Sequence, residues 1–294
     1  MRKYHWGLGK AVFLQGFALL GVVTLSAPSA FAQTFYVGDM IDYSQSCAVP
    51  ADQITQATSS MVAILKERGW SGDRYVNGDV WPQDITEACS SSFGRGGLDD
   101  VYGDMHNLVV VAGHGNTGML GYGTVRNSMC TVDLGASHNT KREGAARLGQ
   151  MNGSQASIAM WLTCCTLRKE SLAEHGNFQW LKQQIGFHGE SSFGDDMVAA
   201  FTRNAGAPAR VGYISNKEAW GTAMEDKPGW FTGDNSTMVV SYGANATEAS
   251  NNHNGLTLNA GDYPRRRGGP SCGDGPPAFN YIYTLKDHGA DGCN

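Results

Sequence analysis

Leu108-Val109-Val110-Val111-Ala112 is an unbroken apolar run closed by Gly113-His114-Gly115. A strand with one wet face would alternate polar with apolar residues, so a continuous run of this length predicts a strand buried on both faces, as in parallel sheets. Ser157-Ile158-Ala159-Met160-Trp161-Leu162 repeats the pattern and ends in Thr163-Cys164-Cys165. Outward from these two segments, an amphipathic helix is predicted over residues 52–68. Ile54, Ala57, Met61, Ile64 and Leu65 share its apolar face and Gly69 stands beyond its end. Helical patterns follow at 142–151, 167–174, 177–184 and 195–204, and strands at 209–214, 236–242 and 278–285. Apolar strands alternating with helices predict an α/β fold: a mainly parallel central sheet flanked by helices. Beyond residue 227 the chain turns to Gly, Asn and Thr with short strand-like segments. The expected division is therefore an α/β domain over 33–226 and a loop-rich β extension over 227–294, packed on the same domain.

The first 32 residues read differently. Arg2, Lys3 and Lys10 precede an apolar run from Ala11 to Leu25 and the small-residue ending Ala30-Phe31-Ala32. This is the order of a cleavable secretory signal, and its apolar run is shorter than the roughly 20 residues that span a bilayer. The expected product is secreted or periplasmic, with no membrane attachment after cleavage. Removal of three basic residues takes the net charge from −5 to −8, which excludes a general nucleic-acid binder. The basic run Arg265-Arg266-Arg267 lies among Gly and Pro and reads as a solvated loop.

Seven cysteines remain: Cys47, Cys89, Cys130, Cys164, Cys165, Cys272 and Cys293. In an oxidising compartment an odd count leaves a thiol over, and proximity in sequence suggests disulfide bonds Cys47–Cys89 and Cys272–Cys293. Neither a C-x-x-C pair nor zinc-type His/Cys spacing occurs, so a structural metal site is not expected.

Functional groups in open parallel sheets gather at the carboxyl ends of the strands. His114 follows one buried strand and Cys165 the other. A histidine that assists deprotonation of a thiol, and later protonates the leaving group, makes an acyl-transfer pair. Gly113 and Gly115 would admit a substrate backbone, and the amides of Gly115 and Cys165 are candidate oxyanion donors. Cys164 and His188 are candidates to line the same cleft. His138, His175, His253 and His288 lie in polar surroundings and read as surface residues, and Asp99 and Asp100 as loop caps.

Strand-then-His114-Gly115, followed 51 residues later by strand-then-Cys165, resembles the caspase, legumain and gingipain superfamily of cysteine peptidases, whose caspases place the histidine about 50 residues before the cysteine. Phe178-Gln179-Trp180 and Gly186-Phe187-His188 resemble segments of a secreted caspase-like branch. The resemblance covers roughly residues 105–215. It implies a caspase-like layered fold, a His114/Cys165 dyad and hydrolysis of a peptide or protein substrate without a cofactor. Aligning the strand end on the superfamily pattern makes Cys165 the nucleophile and frees Cys164 to pair with a cysteine such as Cys130. The caspase signature around the cysteine is absent, Thr163-Cys164-Cys165-Thr166 standing in its place. A non-catalytic, disulfide-stabilised binding or structural protein is the alternative.

Overall fold

Uninterrupted apolar segments cannot leave either face of a strand in water, and in the computed structural model they occupy the middle of a seven-stranded sheet. The structure describes residues 33–45, 57–86, 97–126, 129–134, 143–145, 148–149, 155–172, 181–210, 212–225, 235–259 and 280–286. Residues 1–32, Cys47, Cys89, Cys272, Cys293, Arg265 to Arg267 and Phe178 to Trp180 lie outside the described residues. So do His138, His175 and His288.

The strands of the main sheet are β1 (Thr34–Asp39), β2 (Ser71–Val76), β3 (Leu108–Ala112), β8 (Ile158–Leu162), β9 (Gln183–Phe187), β10 (Thr237–Gly243) and β11 (Asn280–Lys286). Their spatial order is β11-β10-β9-β8-β3-β1-β2. From β2 to β9 every pairing is parallel, and β10 and β11 add antiparallel strands at one edge. A second sheet, order β4-β5-β6-β7, is built from β4 (Gly115–Asn116), β5 (Met119–Arg126), β6 (Met129–Asp133) and β7 (Glu143–Ala145).

Strand residues alternate between two cores. Phe35, Val37, Val110, Met160 and Ile185 face one way, against Met61 and Leu65 of α1 (Ser59–Glu67), Val198 and Phe201 of α2 (Asp195–Asn204) and Trp220 of α3 (Asn216–Glu225). Tyr36, Val109, Val111, Trp161 and Val240 face the other way, against Leu120, Tyr122 and Val132 of the small sheet. The architecture is thus a mixed α/β fold with a multi-strand sheet flanked by helices, its second face meeting a smaller sheet. At about 1.5–3 kcal/mol for each fully buried Val, Leu or Ile, the central strands are what hold the layers together. A buried ion pair ties the β1 end to its neighbours: Arg74 reaches Asp39 at 2.8 Å, and both meet the Thr58 hydroxyl just before α1.

Several sequence expectations are corrected. Residues 183 and 184, assigned to a helix over 177–184, open β9 instead. Their polarity disguises a core strand because the buried amides are paired: Gln184 accepts from Trp161 Nε1 at 2.7 Å and donates to the Tyr242 hydroxyl at 2.6 Å. Gln183 accepts from Asn216 Nδ2 and donates to Ser241 Oγ. The strand expected at 209–214 is a turn with a single bridge between Pro208 and Tyr213, because Pro208 and the left-handed Gly212 (φ 74°) break a ladder. Within 142–151 the described residues include strand β7 rather than helix, and 169–172 form only a short 3-10 turn of the helix expected at 167–174. The sequence pattern did not mark β1, β2, α3, the small sheet or α4 (Ala246–Gly255).

His253 is also corrected, from surface to interior. On α4 it is 3 % exposed, with Nδ1 3.1 Å from Ser241 Oγ and Nε2 2.7 Å from Thr284 Oγ1. It therefore bridges α4, β10 and the edge strand β11. Burial, aided by the charge of Lys217, lowers its pKa to about 4. The unfolded chain binds this proton near pH 6.5, before the folded one does, so stability is intact above 6.5 and falls as pH drops toward 4. Allowing for screening, the loss is on the order of 1–2 kcal/mol. Urea unfolding from pH 7 to pH 4 should show this decline, and the His253→Gln variant should lose the part of it that begins near pH 6.5. An identical slope in both proteins would refute the assignment.

Candidate active site

Parallel pairing of β3 with β8 in the register Ala112↔Leu162 brings the two strand ends side by side, and Gly113 N–H extends the ladder by donating to Leu162 O at 3.0 Å. His114-Gly115 and Thr163-Cys164 thus leave the sheet together at its carboxyl edge. The contact between them is close enough to forbid a side chain. A Cβ on Gly115 would stand 2.7 Å from the Cys164 carbonyl oxygen and 2.8 Å from both Thr163 Cβ and Thr166 Oγ1.

After Leu162 the chain does not stay extended. It turns through Cys165 at φ 59°, a left-handed conformation that costs a non-glycine residue about 1–2 kcal/mol. The turn is fastened by the Thr163 and Thr166 hydroxyls, which bond each other, and by two bonds to the end of β9. Cys165 N–H donates to Gly189 O at 2.8 Å and Leu167 N–H to Phe187 O at 3.0 Å.

The consequence reverses the roles of the two cysteines. Cys165 is buried, 3 % exposed, and stands in disulfide linkage, as does Cys130. It is therefore not a nucleophilic thiol, and its N–H, spent on Gly189, is not an oxyanion donor. Cys164 is a half-buried free thiol. None of the disulfides expected from the sequence is found among the described residues: the Cys130–Cys164 bridge is not formed, and the other two expected pairs lie outside them. The Cys164 sulfur sits against the loop after β9, where it accepts from Ser191 N–H at 3.3 Å and Ser191 Oγ at 3.4 Å. Ser192 and Asn235 hold that loop by a reciprocal pair of 2.9 Å bonds between Ser192 backbone and the Asn235 amide.

His114 is partly buried, and its backbone N–H donates to the Tyr43 hydroxyl at 2.6 Å. The two rings meet edge to face with centroids 4.6 Å apart. Tyr43 went unmarked in the sequence because it lies far away in the chain, in the loop after β1. Gly113 is explained by it, since a Cβ there would stand 2.2 Å from the Tyr43 hydroxyl oxygen. Burial raises the Tyr43 pKa, against the opposing bond from His114 N–H and with smaller rises from the charges of Asp39 and Cys164, which keeps the phenol neutral.

Gly115 keeps its candidacy as an oxyanion donor. Gly121 N–H bonds His114 O, and the ladder pairs Gly115 with Leu120 and Asn116 with Met119. Antiparallel pairs alternate between bonded and non-bonded positions, so Gly115 takes a non-bonded one and its N–H points away from β5.

The remaining candidates stand apart from this pair. His188, 8 % exposed, accepts from Lys169 N–H at Nδ1 (3.1 Å) and donates its backbone N–H to Ser236 O, so it braces the turn behind Cys165. Asp99 is fully buried in the turn before β3, with backbone bonds to Thr86 and Asp104, while Asp100 is exposed. Among the described residues no group of three or more His, Cys, Asp or Glu side chains could hold a metal ion, and no helix is long and apolar enough to cross a membrane. Compared with known proteins, the chain matches no family model and no curated sequence.

Alkylation of the native, unreduced protein followed by peptide mapping should modify Cys164, while Cys130 and Cys165 become labelled only after reduction. Modification of Cys165 before reduction would overturn the exchange of roles.

Proposed function

We propose that the chain is an extracytoplasmic cysteine hydrolase of the caspase-like kind, acting on a peptide or protein, with Cys164 rather than Cys165 as its nucleophile. The observation that carries this reading is the side-by-side exit of His114 and the free thiol of Cys164 from two adjacent parallel strands. The leader-like residues 1–32 favour an exported protein, in which the odd cysteine count leaves one thiol over. In the reaction the Cys164 sulfur attacks the carbonyl carbon and forms a thioester, while His114 takes the thiol proton and passes it to the leaving amine. Water, deprotonated by His114, then releases the acid and restores the thiol. The amides of Gly113, His114 and Cys165 are engaged with other backbone or side-chain acceptors, whereas Gly115 N–H points away from β5 and is the donor assigned to the developing oxyanion.

Labelling by a thiol-directed acyl probe tests the assignment. Cys164→Ala should abolish labelling, and His114→Gln should slow it by about 10²–10⁴-fold, the range for loss of a general acid–base. Both variants should keep the wild-type melting temperature within a few degrees. Undiminished labelling of Cys164→Ala would remove the basis for a hydrolase.

A further inference from the structure

We infer that Tyr43 is the positioning residue of the His114/Cys164 pair, taking the place of the third member that a catalytic triad supplies; the inference rests on the hydrolase reading above. A histidine that moves protons must keep its ring in one orientation, and in triads a carboxylate bonded to the ring does this. Here a neutral phenol holds the same residue from two sides. Its oxygen accepts the His114 backbone N–H at 2.6 Å, and its ring supports the imidazole edge to face at 4.6 Å.

Tyr43 is itself immobilised. It has no exposed surface and packs in the core with Met40, whose N–H bonds Ala112 O at the end of β3. Its hydroxyl donates to Gly121 O at 3.4 Å, which ties β5 to the same oxygen. The loop after β1, the end of β3 and the start of β5 therefore converge on one hydroxyl. Gly113 leaves it the space, because any side chain there would displace the phenol. Tyr43 touches His114 rather than the substrate, and its effect should appear in turnover more than in binding.

The test compares the pH–rate profile of acylation by the thiol-directed probe in wild type, His114→Gln, Tyr43→Phe and Gly113→Ala. His114→Gln should remove the limb of the profile that depends on the imidazole. Tyr43→Phe keeps the ring and loses both hydrogen bonds; it should lower the maximal acylation rate by about tenfold, the equivalent of one hydrogen bond, displace that limb, and leave the probe concentration at half-saturation unchanged. Gly113→Ala pushes on the phenol from the opposite side and should reproduce the displacement, which covers the case of an unstable Tyr43→Phe. A Tyr43→Phe profile that overlays wild type while His114→Gln loses its limb would overturn the positioning role alone. An unaltered His114→Gln profile would overturn the dyad and the positioning role together.

Discussion

The pairing of β3 with β8 is the constraint on which the site depends. Leu108↔Ile158 through Ala112↔Leu162 aligns two strands that are buried on both faces, and a one-residue slip would turn every side chain to the opposite core. The two cores differ in chemistry and shape, one made by helices and one by the small sheet, so the register is strongly fixed. Once it is fixed, the residues just past each strand have no freedom to separate. That is how His114-Gly115 and Thr163-Cys164, far apart in the chain, come to share van der Waals contact.

Beyond the strand ends, hydrogen bonding decides which atoms remain available for chemistry. The turn at Cys165 satisfies its own backbone by bonding the end of β9, and this directs the Cys165 side chain inward and leaves Cys164 at the edge. The amides of Gly113, His114 and Cys165 are consumed by Leu162, Tyr43 and Gly189. An arrangement built this way is stiff, because each group beside Cys164 is held by a different element of the fold.

Polar residues in the interior account for much of what the sequence pattern concealed. Gln183 and Gln184 form a core strand because Trp161, Tyr242, Ser241 and Asn216 satisfy their amides. His253 is buried because Ser241 and Thr284 meet both ring nitrogens. Periodicity counts such residues as exposed, and their partners lie 12 to 58 positions away. The small sheet escaped notice for a related reason: β4 and β5 are rich in glycine, and only Leu120 and Tyr122 give the strand its buried side.

By itself the sequence determined the two central strands, the helix at Asp195–Asn204, the antiparallel strands of the C-terminal part and the position of His114 at a strand end, because these follow from local apolar runs and their terminators. Only the tertiary structure decided that Cys164 carries the thiol, that Cys165 does not, and that Tyr43 stands behind His114. Those outcomes depend on the backbone angle of one turn and on contacts between distant segments. A linear pattern holds neither: two adjacent cysteines are chemically identical until the fold gives one a buried place and the other an edge.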